Sequence, residues 1–223
     1  MKFNKISSYW LACLMLLFVI TVQAQDPLQF KKEVDSLITL HNSTDKPNPI
    51  LFTGSSSIRL WDLKSSFPNY HVLNGGFGGS EMADLLYYID GLIVPLRPIQ
   101  IFIYEGDNDI SKGRSEDQII ASADSILKRI QKQLPKTEVI FISPKPSIAR
   151  WHLKEKYESY NKVFKAWIDK QNNVRYADVW TPMTDKNGNV LKDIFIQDNL
   201  HLNEKGYKIW TSVIKKYLKK TSR

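Results

Sequence analysis

The sequence predicts an α/β fold with a parallel sheet covered by helices on both faces. Two observations carry this. Five short apolar runs, at residues 50–53, 71–74, 100–104, 138–143 and 174–179, are continuous rather than alternating, as expected of strands buried on both faces. Between them the apolar spacing switches to a helical period, so strand and helix alternate along the chain.

The helices follow in order. Residues 26–40 read as a leading helix, joined to the first strand by a polar, proline-containing link. A second helix starts near Ser80 and stops before Pro95. Ile119, Ile120, Ala123, Ile126, Leu127, Ile130 and Leu134 share one helical face. So do Tyr157, Tyr160, Val163, Phe164 and Trp167, and finally Ile209, Val213, Ile214, Tyr217 and Leu218. Neither a repeat nor a low-complexity stretch interrupts this order, and 223 residues suit one domain.

The first 24 residues stand apart. Lys2 and Lys5 precede an apolar run from Trp10 to Val22, and Val22-Gln23-Ala24 offers small residues for a peptidase. This pattern predicts a signal peptide cleaved after Ala24, with residues 25–223 as the mature domain, exported to the periplasm or outside. The run is too short for the roughly 18 or more apolar residues a spanning helix needs, so no stable membrane insertion is expected after cleavage. Cys13, the only cysteine, would leave with the signal, removing disulfide, thiolate and cysteine–metal chemistry from the mature chain.

The net charge of +8 falls to about +6 without Lys2 and Lys5. The positive residues are scattered, with the densest group (Lys215, Lys216, Lys219, Lys220) on the wet face of the last helix. No nucleic-acid partner is expected.

In a parallel α/β sheet the site lies beyond the carboxyl ends of the strands. Four polar clusters sit there: Gly54-Ser55-Ser56-Ser57, Asn74-Gly75-Gly76-Phe77-Gly78-Gly79-Ser80, Glu105-Gly106-Asp107-Asn108-Asp109, and Asp198-Asn199-Leu200-His201. The fourth strand leads into Pro144-Lys145-Pro146, a candidate wall. A serine hydroxyl needs a base to act as a nucleophile. Of the four histidines, only His201 has a carboxylate three residues earlier in a turn, where Asp198 can orient its ring. Glycine-loop amides and the Asn108 amide are donors of the kind an oxyanion needs. Three decoys fail on spacing. Gly54-x-Ser56-x meets Ile58 rather than a second glycine. Asp107-x-Asp109 lacks the glycine and glutamate positions of a calcium loop. The glycines of 75–79 follow the second strand and lack a nucleotide fingerprint. No metal and no cofactor are expected.

The four blocks, in this order, resemble the SGNH hydrolases, the GDSL-type lipases and acylhydrolases, and their acetylhydrolase-like branch in particular. The sharpest pieces are LRPIQIFIYEGDND at 96–109 and DNLHLNEKGYKIW at 198–210. The resemblance implies a three-layer, flavodoxin-like α/β/α fold with a five-stranded parallel sheet. It also implies Ser56 as nucleophile, with Ser55 replacing the family's aspartate, and Asp198 and His201 as the rest of a triad. Gly79, Asn108 and the Ser56 amide become the oxyanion donors. Ser57 is expected to cap the following turn. Arg59, Trp61, Phe77 and Trp151 are candidates for the substrate rim.

The resulting expectation is an exported serine esterase acting on a small-molecule or glycan ester, first of all on sugar O-acetyl groups. Lysophospholipase or thioesterase activity, or a weakly catalytic glycan-binding module, is the alternative.

Overall fold

A computed structural model describes residues 26–42 and 48–219. The expected signal peptide and most of the link at 43–47 lie outside the described residues. The five expected strands form one parallel sheet: β1 (Ile50–Gly54), β2 (Val72–Gly76), β3 (Gln100–Tyr104), β4 (Glu138–Ile142) and β5 (Val174–Ala177), in the order β2-β1-β3-β4-β5. The register runs Ile50 opposite both Val72 and Gln100, and Gln100 opposite Glu138. Every residue of β1, β3 and β4 is buried.

Two apolar layers sandwich the sheet. One face packs α1 (Lys31–Asn42), α4 (Met82–Leu92), α6 (Glu116–Gln133) and α7 (Lys154–Ile168), through residues such as Val34, Leu85, Ile126 and Phe164. The other packs the short helices α2 (Ser56–Arg59) and α3 (Leu63–Ser66) and the last helix, α8 (Glu204–Ile214), through Ile58, Phe67, Trp210 and Ile214. The single-turn helix α5 (Asp107–Ser111) follows β3 directly.

The elements end where their chemistry dictates. Ser115 caps α6 by accepting from Gln118 N at 3.2 Å while the Gln118 side chain accepts from Ser115 N at 2.9 Å. Asn203 caps α8 through the amides of Lys205 and Gly206.

Four details differ from the sequence reading. The leading helix opens with a 3₁₀ turn, Pro27–Phe30, and runs on to Asn42, which puts His41 on a buried helical turn rather than in the link. β5 is an edge strand, so Val174, Arg175 and Tyr176 are not fully covered, and it ends at Ala177. The second strand extends through Gly75 and Gly76 instead of yielding to a loop at Asn74. Helix α2 lies directly on it, and a Cβ at Gly76 would stand 2.4 Å from Arg59 N. Ser57 is buried within α2 and Ser55 occupies the N-cap position, so Ser57 caps nothing.

The order β2-β1-β3 places the switch point between β1 and β3, where connections leave in opposite directions. A crevice outside the carboxyl ends of these two strands is the expected binding place. Ser56 follows the first and Asn108 the second.

Candidate active site

Ser56 opens α2 two residues beyond the end of β1. Its Oγ lies 2.8 Å from His201 Nε2, across 145 residues of sequence. The other ring nitrogen, Nδ1, lies 2.5 Å from Asp198 Oδ2. An ionised carboxylate only accepts hydrogen bonds, so Nδ1 carries the proton and Nε2 is left to accept from the serine hydroxyl. The turn that holds the pair is made by the same aspartate: Asp198 Oδ1 accepts from Leu200 N and His201 N, both at 2.9 Å, while Asn199 between them takes a left-handed φ of 57°. Burial disfavours the Asp198 charge, but the bonds from the His201 ring and the two amides outweigh it and bring the carboxyl down to about 2.

Three contacts fix the serine helix. Asn74 Nδ2 donates to Ile58 O at 2.7 Å and to Trp61 O at 3.2 Å, and Tyr207 of α8 donates to Ser57 O at 2.9 Å. The same α8 begins three residues after His201, so one helix ties the serine helix to the His201 turn. The Ser56 amide, in the first turn of α2, has no acceptor among the described residues.

The glycine loop after β2 is clamped from α1. Glu33 accepts from Gly78 N at 3.1 Å and from Arg59 Nη1 at 3.2 Å. Gly79 has φ 72°, a left-handed conformation that favours glycine, and nothing lies within 4 Å of where its Cβ would project. Its amide, too, has no acceptor among the described residues.

Asn108 stands on α5 beside this loop. Its Nδ2 donates to Ser80 O at 2.9 Å, and its Oδ1 accepts from Arg150 Nη2 at 2.9 Å. The neighbouring Asp107 is buried and accepts from Arg150 Nη1 (2.6 Å), Tyr157 (2.5 Å), Tyr104 (2.7 Å) and the buried Lys145 (3.3 Å). Burial opposes its charge, but the two cations and two hydroxyls hold its carboxyl well below the usual carboxylate range. Behind the glycine loop, Ser80 donates to the buried Glu105 at 2.6 Å. Burial, reinforced by Asp109, pushes the Glu105 carboxyl well up.

Ser56, His201 and Asp198 therefore meet in one relay, and Gly79 and Asn108 follow the two strands that border β1. The rim candidates divide. Trp61 and Phe77 are buried, which removes them from the rim. The Trp61 ring packs against Phe52, Phe67, Tyr207 and Trp210, and Phe77 packs against Phe30 and Tyr88. Phe77 directly follows β2 and Trp61 follows α2, and both rings turn into the core. Arg59 keeps partial exposure but is engaged by Glu33. Trp151 is half-buried and stacks on Trp180, with ring centroids 6.2 Å apart. Sequence reasoning missed Arg150, Glu33 and Trp180, and gave Ser80 a place in the glycine cluster but no role. Arg150 lies four residues past Pro144-Lys145-Pro146, the candidate wall, and nothing in the sequence pattern marked it.

Comparison with known proteins identifies the family and the fold. Residues 55–209 match the profile of the GDSL-like lipase/acylhydrolase family. No curated protein matches the chain by sequence. Among solved structures, a Streptococcus pneumonia protein with a provisional platelet activating factor assignment aligns with a TM-score of 0.77 at 24% identity, covering 86% of this chain and 95% of that one. A GDSL-like lipase from Bacteroides thetaiotaomicron aligns at 0.71 and 20%, covering 86% and 98%. An acetyl xylan esterase from Geobacillus stearothermophilus aligns at 0.63 and 15%, covering 79% and 98%.

Proposed function

The chain belongs to the GDSL-like lipase/acylhydrolase family and is a carboxylic ester hydrolase; from that premise we propose that Ser56, His201 and Asp198 are its catalytic triad and short acyl esters its substrates. The observation that carries this is the relay from Asp198 through His201 to Ser56, with Oγ 2.8 Å from Nε2.

The chemistry follows from the geometry. Ser56 Oγ attacks the ester carbonyl carbon while its proton passes to His201 Nε2. Asp198 stays ionised and stabilises the imidazolium. The carbonyl oxygen becomes an oxyanion, met by the Ser56 and Gly79 amides and the second Nδ2 hydrogen of Asn108, three donors with no other use among the described residues. His201 returns the proton to the departing alcohol, leaving an acyl-serine. Water then repeats the sequence, with His201 as base and Ser56 as leaving group.

O-acetyl groups on carbohydrates are the proposed substrates. The absence of a lid insertion among the described residues supports a short acyl group, and the shared fold with an acetyl xylan esterase is consistent with it. The amino-terminal pattern at 1–24 supports action after export. The test is p-nitrophenyl acetate turnover. Ser56→Ala is expected to lose a factor on the order of 10⁴ or more in kcat, and equal rates in the two proteins would overturn the assignment. A series of p-nitrophenyl esters of rising chain length, set beside acetylated glycans, ranks the substrates; preference for long acyl chains would remove the acetyl reading.

A further inference from the structure

We propose that Arg150 is the positioning residue of the oxyanion site: it fixes the Asn108 amide in the one orientation that turns an N–H toward the reacting carbonyl. The proposal rests on the ester-hydrolase reading of Ser56 and Asn108.

An asparagine amide has an oxygen on one side and a nitrogen on the other, and a half-turn of the side chain exchanges them at little steric cost. Here the two sides are held differently. Arg150 Nη2 donates to Asn108 Oδ1 at 2.9 Å, and Asn108 Nδ2 donates to Ser80 O at 2.9 Å. Turning the amide over would set its NH₂ against the guanidinium donors and its oxygen against the Ser80 carbonyl. Both contacts become repulsive at once. In the observed orientation, Ser80 takes one Nδ2 hydrogen and the second is left for a ligand.

The guanidinium is itself well anchored. Nη1 donates to both the carboxylate and the carbonyl oxygen of Asp107, at 2.6 and 3.0 Å, so the fork spans two successive residues of α5. Tyr157 donates to the same two Asp107 oxygens, at 2.5 and 3.0 Å, and Lys145 donates to the other carboxylate oxygen. The backbone on Arg150's own side is also tied to the base. Ser147 Oγ accepts from Arg150 N at 3.2 Å, and Ala149 N donates to Asn199 O at 3.1 Å, between Asp198 and His201. Arg150 thus bridges the loop that borders the base to the helix that carries the oxyanion donor. Its positive charge on the amide oxygen also polarises the N–H on the far side, since hydrogen bonds in a chain strengthen one another.

A lysine cannot reproduce this. Its single ammonium carries charge but not the planar fork that reaches Asp107 and Asn108 together.

The experiment is a double-mutant cycle on p-nitrophenyl acetate. Active sites are counted by titration with a covalent organophosphate, and folding is followed by thermal melting. Arg150→Met and Arg150→Lys are each expected to lower kcat per titrated site about 10- to 100-fold with KM within about twofold, inside the ~10²–10³ that loss of an oxyanion donor itself costs. In an Asn108→Ala background the same changes are expected to cost less than about twofold, because the group they act through is gone. Losses that multiply in the double mutants, or an undiminished kcat in both single variants, overturn the proposal. If Arg150→Met fails to fold, Arg150→Lys alone decides by the same criterion. Turnover that ignores Ser56→Ala takes down the ester-hydrolase site and this assignment with it; turnover that needs Ser56 but ignores Arg150 takes down this assignment alone.

Discussion

Two aspartates of the candidate site, Asp198 and Asp107, are held by contrasting means. Asp198 is partly open to solvent, its side chain 43% exposed, and all its hydrogen-bond partners lie within three residues of it. Asp107 is buried, with 6% side-chain exposure, and its partners come from as far as 50 residues away. The base side of the site is built by one local turn. The oxyanion side is built by the tertiary fold. The first can be rebuilt from a tetrapeptide pattern; the second exists only when α5, the loop after β4 and α7 have all docked.

Breaking the local half is expected to cost most. Asp198→Asn keeps the shape but leaves no carboxylate to hold Nδ1–H, so the ring can present the wrong tautomer to Ser56. The expected loss in kcat on p-nitrophenyl acetate is about 10³–10⁴-fold with KM little changed. Retention of a tenth of the wild-type kcat would mean that something else orients His201. Because the bonds from the His201 ring and the two amides bring the Asp198 carboxyl down to about 2, its protonation should cost no activity at pH 4 or above.

The oxyanion half should yield less to a single change. Asn108→Ala is expected to lower kcat about 10²–10³-fold, since the Ser56 and Gly79 amides remain. Intact activity would remove Asn108 from the site. Further out, Glu33→Gln weakens the clamp on Gly78 and Arg59 without emptying its place. A half-exposed ion pair is worth ~0.2–1 kcal/mol, and about 1.4 kcal/mol is tenfold in rate. A loss of about twofold to fivefold in kcat is therefore expected, and a hundredfold loss would show that the clamp does more than steady the loop.

The same contrast explains what could be read from the amino-acid sequence. Strands β1, β3 and β4 were legible because burial on both faces leaves unbroken apolar runs. The serine triplet at 55–57, Asn108 and His201 stood out because each falls beyond a strand or in a recognisable turn, but choosing Ser56 from the triplet took the family resemblance. Strand β2 was shortened at Asn74, since two glycines read as a loop until the helix packed over them is known. Trp61 and Phe77 read as rim because an aromatic near a polar cluster carries no mark of which way it faces. Arg150 and Glu33 were invisible for a stronger reason. Their partners lie 42 and 45 residues away, and a lone charge in a loop or on a helix looks like any solvated side chain.

The smallest effect on rate, and the clearest on stability, is expected at Asp109. Its carboxyl, on α5 itself, is buried and accepts from Met82 N and Gly106 N. Burial pushes it up to about 7 in spite of the Met82 bond, and Glu81 adds to the rise. Glu105 shares the cluster and is pushed up in turn by burial and by Asp109. In the unfolded chain an aspartate titrates near 3.9. Between about pH 4 and 7 the folded protein therefore holds a proton that the unfolded chain has lost, and the free energy of unfolding must fall as pH rises through that window. Asp109→Asn mimics the protonated carboxyl at every pH. Its carbonyl oxygen can take the place of Oδ2, which already faces both amides at 3.2 and 3.1 Å. The variant is expected to melt above wild type at pH 8, to converge with it near pH 4, and to keep kcat within a few-fold. Parallel melting curves across pH 4–8 would show that the buried carboxyl is ionised in the folded protein, and that the cations around Glu81, Lys112 and Arg114, compensate it.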